Sequence, residues 1–198
     1  MKKTKIIGLT GQSGAGKSTA SKYIRDIGIK VFDADKLVKE IYDDSNSTCL
    51  KAVCAVFGSD LIKENSLDRK LLAQRAFSSK ENTKLLSNIV HPFVTAKFLQ
   101  ELKETDADMV VYDAPQLFES NFDAVCDCII SITADKALRL ERICKRDNIS
   151  VELATMRMNV QLDESFFVEN SDYVIENNST ENELINQLKN ILAEIGVK

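Results

Sequence analysis

A glycine-rich stretch near the start of the chain, GLTGQSGAGKST at residues 8–19, constrains the fold more than any other feature. It contains the pattern Gly11-x-x-x-x-Gly16-Lys17-Ser18, which matches a phosphate-binding P-loop in full. An apolar run precedes the loop and a helical pattern follows it, as this motif requires. The glycines let successive backbone N–H groups turn inward around an anion, and the start of a helix adds partial positive charge there. The stretch therefore predicts a nucleotide polyphosphate site between a buried strand and a helix.

The residue types in this loop predict separate tasks. We expect Lys17 to reach the β- and γ-phosphates, the Ser18 hydroxyl to bind Mg²⁺, and Thr19 to help hold the α-phosphate. The predicted nucleotide-binding residues of the loop are Gly11, Gln12, Ser13, Gly14, Ala15, Gly16, Lys17, Ser18 and Thr19.

Short apolar segments alternate with helical patterns along the chain, which is typical of a parallel sheet. The predicted strands are 5–10, 29–33, 109–113, 128–133 and 172–177. Helical segments are predicted between the second and third strands at 35–42, 48–57, 67–77, 80–88 and 92–104. A capping box at Thr180 and Glu183 begins the last helix. This pattern predicts an α/β fold of the P-loop NTPase type, with three layers (α/β/α) and a five-stranded parallel sheet.

The distribution of helices also predicts the domain organisation. Residues 1–33, 109–135 and 166–198 are expected to form a nucleotide-binding core. Residues 34–108 are expected to form a helical insertion, and residues 136–165 a second helical excursion that contains a helix capped by Ser150.

Among P-loop proteins, the sequence favours a small kinase. A small GTPase needs a D-x-x-G motif after its third strand and an N-K-x-D motif that reads guanine, and neither occurs. A kinase of this type needs an aspartate to orient or deprotonate the acceptor, cations to neutralise the migrating charge, and a cover that excludes water.

Three carboxylates are candidates for facing the acceptor or for binding Mg²⁺. Asp33 and Asp35 lie at the end of the second strand, where ligands bind in open α/β sheets. At least one of them is expected to face the acceptor, but either could instead only cap the helix at 35–42. Asp113 ends the third strand and could hold Mg²⁺ through water, or it could serve only in a turn. Which of Asp33 and Asp113 assists Mg²⁺ stays open at this point.

A basic segment at 136–146 stands out in an acidic chain, because it carries five Lys or Arg residues against one Glu. Arg139, Arg142 and Arg146 share one face of the predicted helix. Guanidinium groups suit phosphoryl oxygens, so this face is predicted to bind phosphates. The alternative is a solvated basic face.

Several stretches together resemble the dephospho-CoA kinase family, whose members phosphorylate the ribose 3′-hydroxyl of dephospho-CoA in the last step of coenzyme A biosynthesis. The stretches occur in the family's order over nearly the whole chain. They are IGLTGQSGAGKST, FDAD, SLDRKLLAQRAF, HPFV, PQLFES, ERICKRD, and RMNVQ followed by DYVIENN.

The resemblance implies ATP and dephospho-CoA as substrates, with Mg²⁺. It assigns residues 34–108 to a helical CoA-binding domain and residues 136–165 to a lid. Asp33 then matches the aspartate that activates the 3′-hydroxyl, and Lys17 and Arg142 join it as catalytic residues. Arg142 and Arg146 match the lid arginines that grip ATP phosphates. The implied acceptor-binding residues are Asp33, Asp35, Arg69, His91 and Pro115.

Three positions depart from the family's pattern. Gln12 stands where glycine is frequent, at a variable place in the loop. Gln116 replaces a usual leucine, which is expected to put a polar group in an apolar slot. Phe167 occupies a place where lysine is common, so one cationic contact near the nucleotide is expected to be lost.

Composition bears on the binding partners and the location of the protein. A net charge of −4 argues against nucleic-acid binding. The apolar run at the N-terminus is too short for a signal peptide or a membrane span, so we expect a cytoplasmic protein without membrane contact whose five cysteines are reduced. A monomer or weak homo-oligomer is expected.

The alternatives in function are another small P-loop kinase, acting on a nucleoside or other hydroxyl compound, and a non-catalytic nucleotide-sensing module.

Overall fold

The computed structural model describes residues 4–44, 46–64 and 66–197. Its strands are β1 (Lys5–Gly11), β2 (Lys30–Asp33), β3 (Ile62–Lys63), β4 (Ser66–Leu67), β5 (Met109–Asp113), β6 (Cys128–Thr133) and β7 (Tyr173–Glu176). Its α-helices are α1 (Lys17–Asp26), α2 (Ala34–Asp43), α3 (Thr48–Phe57), α4 (Arg69–Ala76), α5 (Lys80–Lys103), α6 (Lys136–Asp147), α7 (Val151–Asn159), α8 (Glu164–Asn170) and α9 (Glu181–Ile195).

The main sheet has five strands in the order β2-β5-β1-β6-β7. Strand β1 pairs in parallel with both β5 and β6, and β6 pairs in parallel with β7. The predicted five-stranded parallel sheet of a P-loop fold is therefore confirmed. The register places Leu9 opposite Asp113 and Gly11 opposite Ile132. The carboxyl ends of β1, β5 and β6 thus meet at the edge where the glycine loop begins.

The chain divides into two compact units, Met1–Val31 with Ala107–Lys198 and Phe32–Asp106. The finer division into a nucleotide-binding core, an acceptor-binding insertion and a lid stays a prediction.

The core of the first unit forms where α1 and α9 pack together and cover one face of the sheet. Alternate residues of the central strands point to this face because side chains along a strand alternate in direction. The fully buried side chains here include Ile7, Leu9, Val111, Ile130, Ile132, Ile24 and Leu188. Each contributes roughly 1.5–3 kcal/mol by its burial.

The structure of the first unit accounts for two of the departures from the family's pattern, Gln116 and Phe167. Gln116 is exposed, and the neighbouring Leu117 is fully buried. The expectation that Gln116 fills an apolar slot is therefore wrong, because the chain turns this side chain toward water. Phe167 is 2% exposed and packs edge-to-face on Phe118, with ring centroids 5.8 Å apart. An apolar aromatic contact occupies the position where lysine was expected.

The second unit contains one long helix where two were predicted. Helix α5 runs from Lys80 to Lys103 without a break, although Pro92 lies inside it. The predicted interruption between 88 and 92 is therefore wrong. Proline removes one helical hydrogen bond, but Val94 and Phe98 on the same helix are buried, and α5 packs on α2 and α3. This burial holds the helix together across the proline.

The region before α4 also differs from its prediction. Residues 67 and 68 do not belong to the helix predicted at 67–77. Leu67 pairs with Ile62 in a short antiparallel ladder of β3 and β4. Asp68 then caps α4 by accepting a hydrogen bond from the backbone N–H of Leu71 at 2.9 Å. Strands of two residues are too short to show an alternation of apolar and polar side chains, so the sequence does not predict them.

The five cysteines are free thiols. Cys49 and Cys128 are buried, and burial raises the pKa of each thiol to about 11. Burial also raises the pKa of the Cys126 thiol to about 12. In the described part of the chain, no helix combines the length and apolar character that a membrane crossing needs.

Replacing Pro92 should stabilise the protein. We expect Pro92→Ala to raise the free energy of unfolding by about 1–2 kcal/mol, because proline costs about 3 kcal/mol relative to alanine inside a helix and part of this gain is offset in the unfolded chain. Urea denaturation measures the change. Lys84→Ala, an exposed change on the same helix, is the control and should stay within about 0.5 kcal/mol of the parent. A less stable Pro92→Ala would show that the surrounding packing requires proline.

Candidate active site

The glycine loop ends where α1 begins, and Gly16 makes this junction possible. Gly16 is the N-cap of α1 and has a φ of 110°, a left-handed value that disfavours other residues. A Cβ atom at this position would collide with the side-chain amide nitrogen of Asn177. The first turn of α1 contains no acidic residue. The loop therefore presents the positive end of a helix without a competing carboxylate, which suits an anion.

Lys17 and Asp113 form an ion pair at this edge of the sheet. The Lys17 ammonium donates a hydrogen bond to the Asp113 carboxylate. The side chain of Asp113 is only 6% exposed, and the guanidinium of Arg25 lies 3.8 Å from its second oxygen. A buried carboxylate needs such partners because desolvation penalises an unpaired charge. Asp113 thus positions the Lys17 ammonium beside the loop. The residue therefore does more than serve in a turn, which was one of the two roles that the sequence left open.

The three arginines of α6 do not share one environment. Arg139 is buried, and its Nε donates to the Ser13 carbonyl at 3.0 Å, so the alternative of a solvated basic face is wrong for this residue. Arg142 is half-buried and donates to the carbonyl oxygens of Gly14 and Asn177, at 3.4 and 3.1 Å. The structure therefore brings Arg139 and Arg142 to the loop.

Arg146 lies apart from these contacts. It is exposed and forms two hydrogen bonds to Asp147, at 2.8 and 3.0 Å. This pairing raises the pKa of the Arg146 guanidinium. Its predicted contact with phosphate stays a prediction.

Two residues that support the loop were missed as site residues by the sequence. The Asn177 side chain donates to the Ala15 carbonyl at 2.7 Å, and both partners are buried. The side-chain oxygen of Gln161 accepts a hydrogen bond from the Ser13 backbone N–H at 3.1 Å. Both residues lie in stretches quoted for the family resemblance, RMNVQ and DYVIENN, which was the only signal available.

Asp33 and Asp35 lie at the end of β2 and the beginning of α2. Asp33 is the N-cap of α2, and its Oδ1 accepts from the Lys36 backbone N–H at 3.1 Å. The capping role that the sequence left open is thus present. Asp35 is exposed in the first turn of the helix.

The other predicted acceptor-binding residues occupy different elements. Arg69 begins α4 and donates to the Asp43 carboxylate at 2.7 Å. His91 lies within α5 and is half-buried, and burial lowers the pKa of its imidazole, which favours the neutral form at pH 7. Pro115 follows β5 in a turn of the first unit.

Comparison with known proteins matches this chain over most of its length. The model of the dephospho-CoA kinase family matches residues 5–183. A dephospho-CoA kinase from Fusobacterium nucleatum is 39% identical over 186 residues, which cover 93% of this chain and 95% of the relative. A dephospho-CoA kinase from Bacillus anthracis is 36% identical over 182 residues, which cover 89% of this chain and 90% of the relative.

Solved structures agree with this match. The Thermus thermophilus protein TT1252 superposes with a TM-score of 0.84 at 30% identity, covering 99% of this chain and 100% of that one. A dephospho-CoA kinase from Campylobacter jejuni has a TM-score of 0.70 at 29% identity, covering 98% of both chains. A shikimate kinase from Acinetobacter baumannii has a TM-score of 0.57 at 16% identity and shares the fold alone.

A methyl group at Gly16 should disrupt the loop. We expect Gly16→Ala to weaken ADP binding by about a hundredfold, because alanine is strained at this φ and its Cβ displaces Asn177. Isothermal titration calorimetry with ADP measures the effect. Gly28→Ala is the matched control, since Gly28 also has a positive φ of 88° but a Cβ there meets nothing within 4 Å. It should cost about 1 kcal/mol of stability and leave ADP binding within about twofold. Equal losses of affinity in the two variants would contradict the role of Asn177.

Proposed function

This chain belongs to the dephospho-CoA kinase family, and we propose that the residues around its glycine loop transfer the γ-phosphoryl group of ATP to the ribose 3′-hydroxyl of dephospho-CoA. The products are CoA and ADP, and the reaction is the last step of coenzyme A biosynthesis. The observation that carries this function is the family match over residues 5–183, which includes an intact phosphate-binding loop.

Lys17 is proposed to neutralise charge on the migrating phosphoryl group. Its ammonium is already held at the loop by Asp113, so on nucleotide binding Lys17 would exchange one anionic partner, the carboxylate, for another, the β- and γ-phosphates. Backbone N–H groups of the loop and the start of α1 add further hydrogen bonds. These contacts strengthen as negative charge shifts toward ADP in the transition state.

Arg142 is proposed to act with Lys17 on the phosphates, with Arg146 as a further contact. Arg142 donates to the carbonyl oxygen of Gly14 in the loop and to that of Asn177, which follows β7, so its guanidinium would lie close to the bound nucleotide. Residues 136–165, which contain α6 and α7, are proposed to act as a lid that excludes water from the transfer.

Asp33 is proposed as the general base. Its carboxylate accepts the proton of the 3′-hydroxyl while the new oxygen–phosphorus bond forms and the bond to ADP breaks. Residues 34–108 are proposed to bind the acceptor. The residues assigned to this task are Asp33, Asp35, Arg69, His91 and Pro115.

The residues at the loop fit Mg²⁺. Ser18 offers an exposed hydroxyl in the first turn of α1, and Asp113 offers a buried carboxylate beside Lys17. Hard oxygen donors of this kind suit Mg²⁺, which retains several waters in nucleotide sites. We assign Ser18 as a direct ligand and Asp113 as a ligand through water. When bound, Mg²⁺ would neutralise phosphate charge.

We also propose a cytoplasmic location and a monomer or weak homo-oligomer. The five free thiols fit a reducing compartment.

The activity is tested directly by mass spectrometry of dephospho-CoA incubated with the protein and MgATP. A product heavier by one phosphoryl group is expected. Lys17→Ala should reduce turnover about 100- to 1,000-fold and also weaken ATP binding. Lys22→Ala, on the exposed side of the same helix, should leave both unchanged. Phosphorylation of a different hydroxyl compound in place of dephospho-CoA would overturn the substrate assignment.

Substitution of Asp33 separates catalysis from helix capping. We expect Asp33→Asn to cut turnover about 100- to 10,000-fold with little change in ATP affinity, because asparagine preserves the cap but is not a base. Asp33→Ala should lose the same activity and, in addition, about 1 kcal/mol of stability. Turnover and thermal unfolding are measured for both variants. Near-parental turnover by Asp33→Asn would remove Asp33 from the mechanism.

A further inference from the structure

The tip of the glycine loop is hydrogen-bonded to elements far away in the sequence. The Gln12 side chain donates to the Leu162 carbonyl at 3.2 Å. The Ala15 carbonyl accepts from the Asn177 side chain at 2.7 Å. The conformation of the tip therefore depends on residues well outside the loop motif.

Gln161 closes a ring of hydrogen bonds at Ser13. Its side-chain oxygen accepts from the Ser13 backbone N–H at 3.1 Å and from the Arg139 guanidinium at 3.2 Å. Arg139 in turn donates through Nε to the Ser13 carbonyl at 3.0 Å. Both backbone polar groups of Ser13 are thus satisfied by the same pair of side chains.

This ring is partly shielded from water, because Ser13 and Gln161 are half-buried and the Arg139 side chain is buried. Arg139 is 5% exposed, and Gln12 next to Ser13 is also 5% exposed. A buried polar group that loses its hydrogen-bond partner is poorly solvated, and this loss costs free energy. The oxygen of Gln161 accepts two bonds, one of them from a cation, and bonds of this charged kind are the stronger ones.

Gln161 also connects the loop to the helical excursion. Its backbone N–H donates to the Met158 carbonyl in the last turn of α7 at 3.2 Å. A single residue thus joins the end of α7, the basic helix α6 and the loop tip.

We propose that Gln161 is a positioning residue for phosphate binding, which holds the loop tip in its binding conformation by joining the Ser13 amide to Arg139. The inference rests on the proposed function only in that the loop holds the phosphates of ATP. A loop ordered in advance loses less conformational entropy when it binds. Loss of the Gln161 oxygen therefore weakens nucleotide binding and leaves the acceptor and the proton transfer unaffected.

The test compares two substitutions of Gln161. Methionine has a similar length but offers no strong acceptor, whereas glutamate keeps the acceptor and pairs with Arg139. We expect Gln161→Met to weaken ADP binding and raise the KM for ATP about tenfold. The kcat and the KM for dephospho-CoA should change less than about threefold. Gln161→Glu should restore ADP affinity to within about threefold of the parent.

Asn190→Met is the matched control, because Asn190 is an exposed amide on α9, outside the loop and the proposed lid, and it should bind ADP like the parent. Calorimetry with ADP and steady-state kinetics measure the four proteins. Parental ADP affinity in Gln161→Met, or equal losses in the Met and Glu variants, would overturn the proposal. If Gln161→Met does not fold, Gln161→Asn, whose amide is one methylene too short, takes its place with the same expected loss.

ADP binding requires no acceptor, so this result is independent of the activity assay. If the parent protein binds ADP but does not phosphorylate dephospho-CoA, the proposed function is contradicted. The ADP affinities of the Gln161 variants still test the role of Gln161 in that case.

Discussion

The ion pair between Lys17 and Asp113 is the interaction on which the site depends. It exists because the register of β1 and β5 brings the end of one strand beside the start of the loop that follows the other. A carboxylate buried at this depth would be costly without a cation, and a lysine near the loop would be mobile without a carboxylate. The pair gives the buried carboxylate a cationic partner and places that cation beside the loop where a polyanion would bind.

Around this pair, polar side chains from distant elements support the loop. Amide groups from Gln161 and Asn177 and guanidinium groups from Arg139 and Arg142 bind its backbone carbonyls and N–H groups. Such hydrogen bonds have defined directions, so they specify one conformation where hydrophobic contacts would permit several. A phosphate site needs this, because the backbone N–H groups must be aimed before the anion arrives.

Local patterns in the sequence predicted the parallel sheet, the glycine loop and most helices, since strand alternation, helix caps and the P-loop spacing are short-range signals. They failed where the answer depends on distant contacts. The helix through Pro92 persists because of packing on other helices, and Gln116 turns outward because Leu117 fills the interior. Gln161 and Asn177 were not recognised as site residues, because their partners lie 148 and 162 residues away and no spacing rule links them to the loop.

The buried thiols have a consequence for an enzyme whose product carries a thiol of its own. Exchange between a cysteine and a disulfide of the product requires the thiolate form. Burial raises the pKa of Cys49 and Cys128 to about 11, so the thiol form of both predominates at pH 7. Burial and the raised pKa both slow the formation of mixed disulfides at these two cysteines when oxidised coenzyme accumulates, and Cys128 lies in the central sheet.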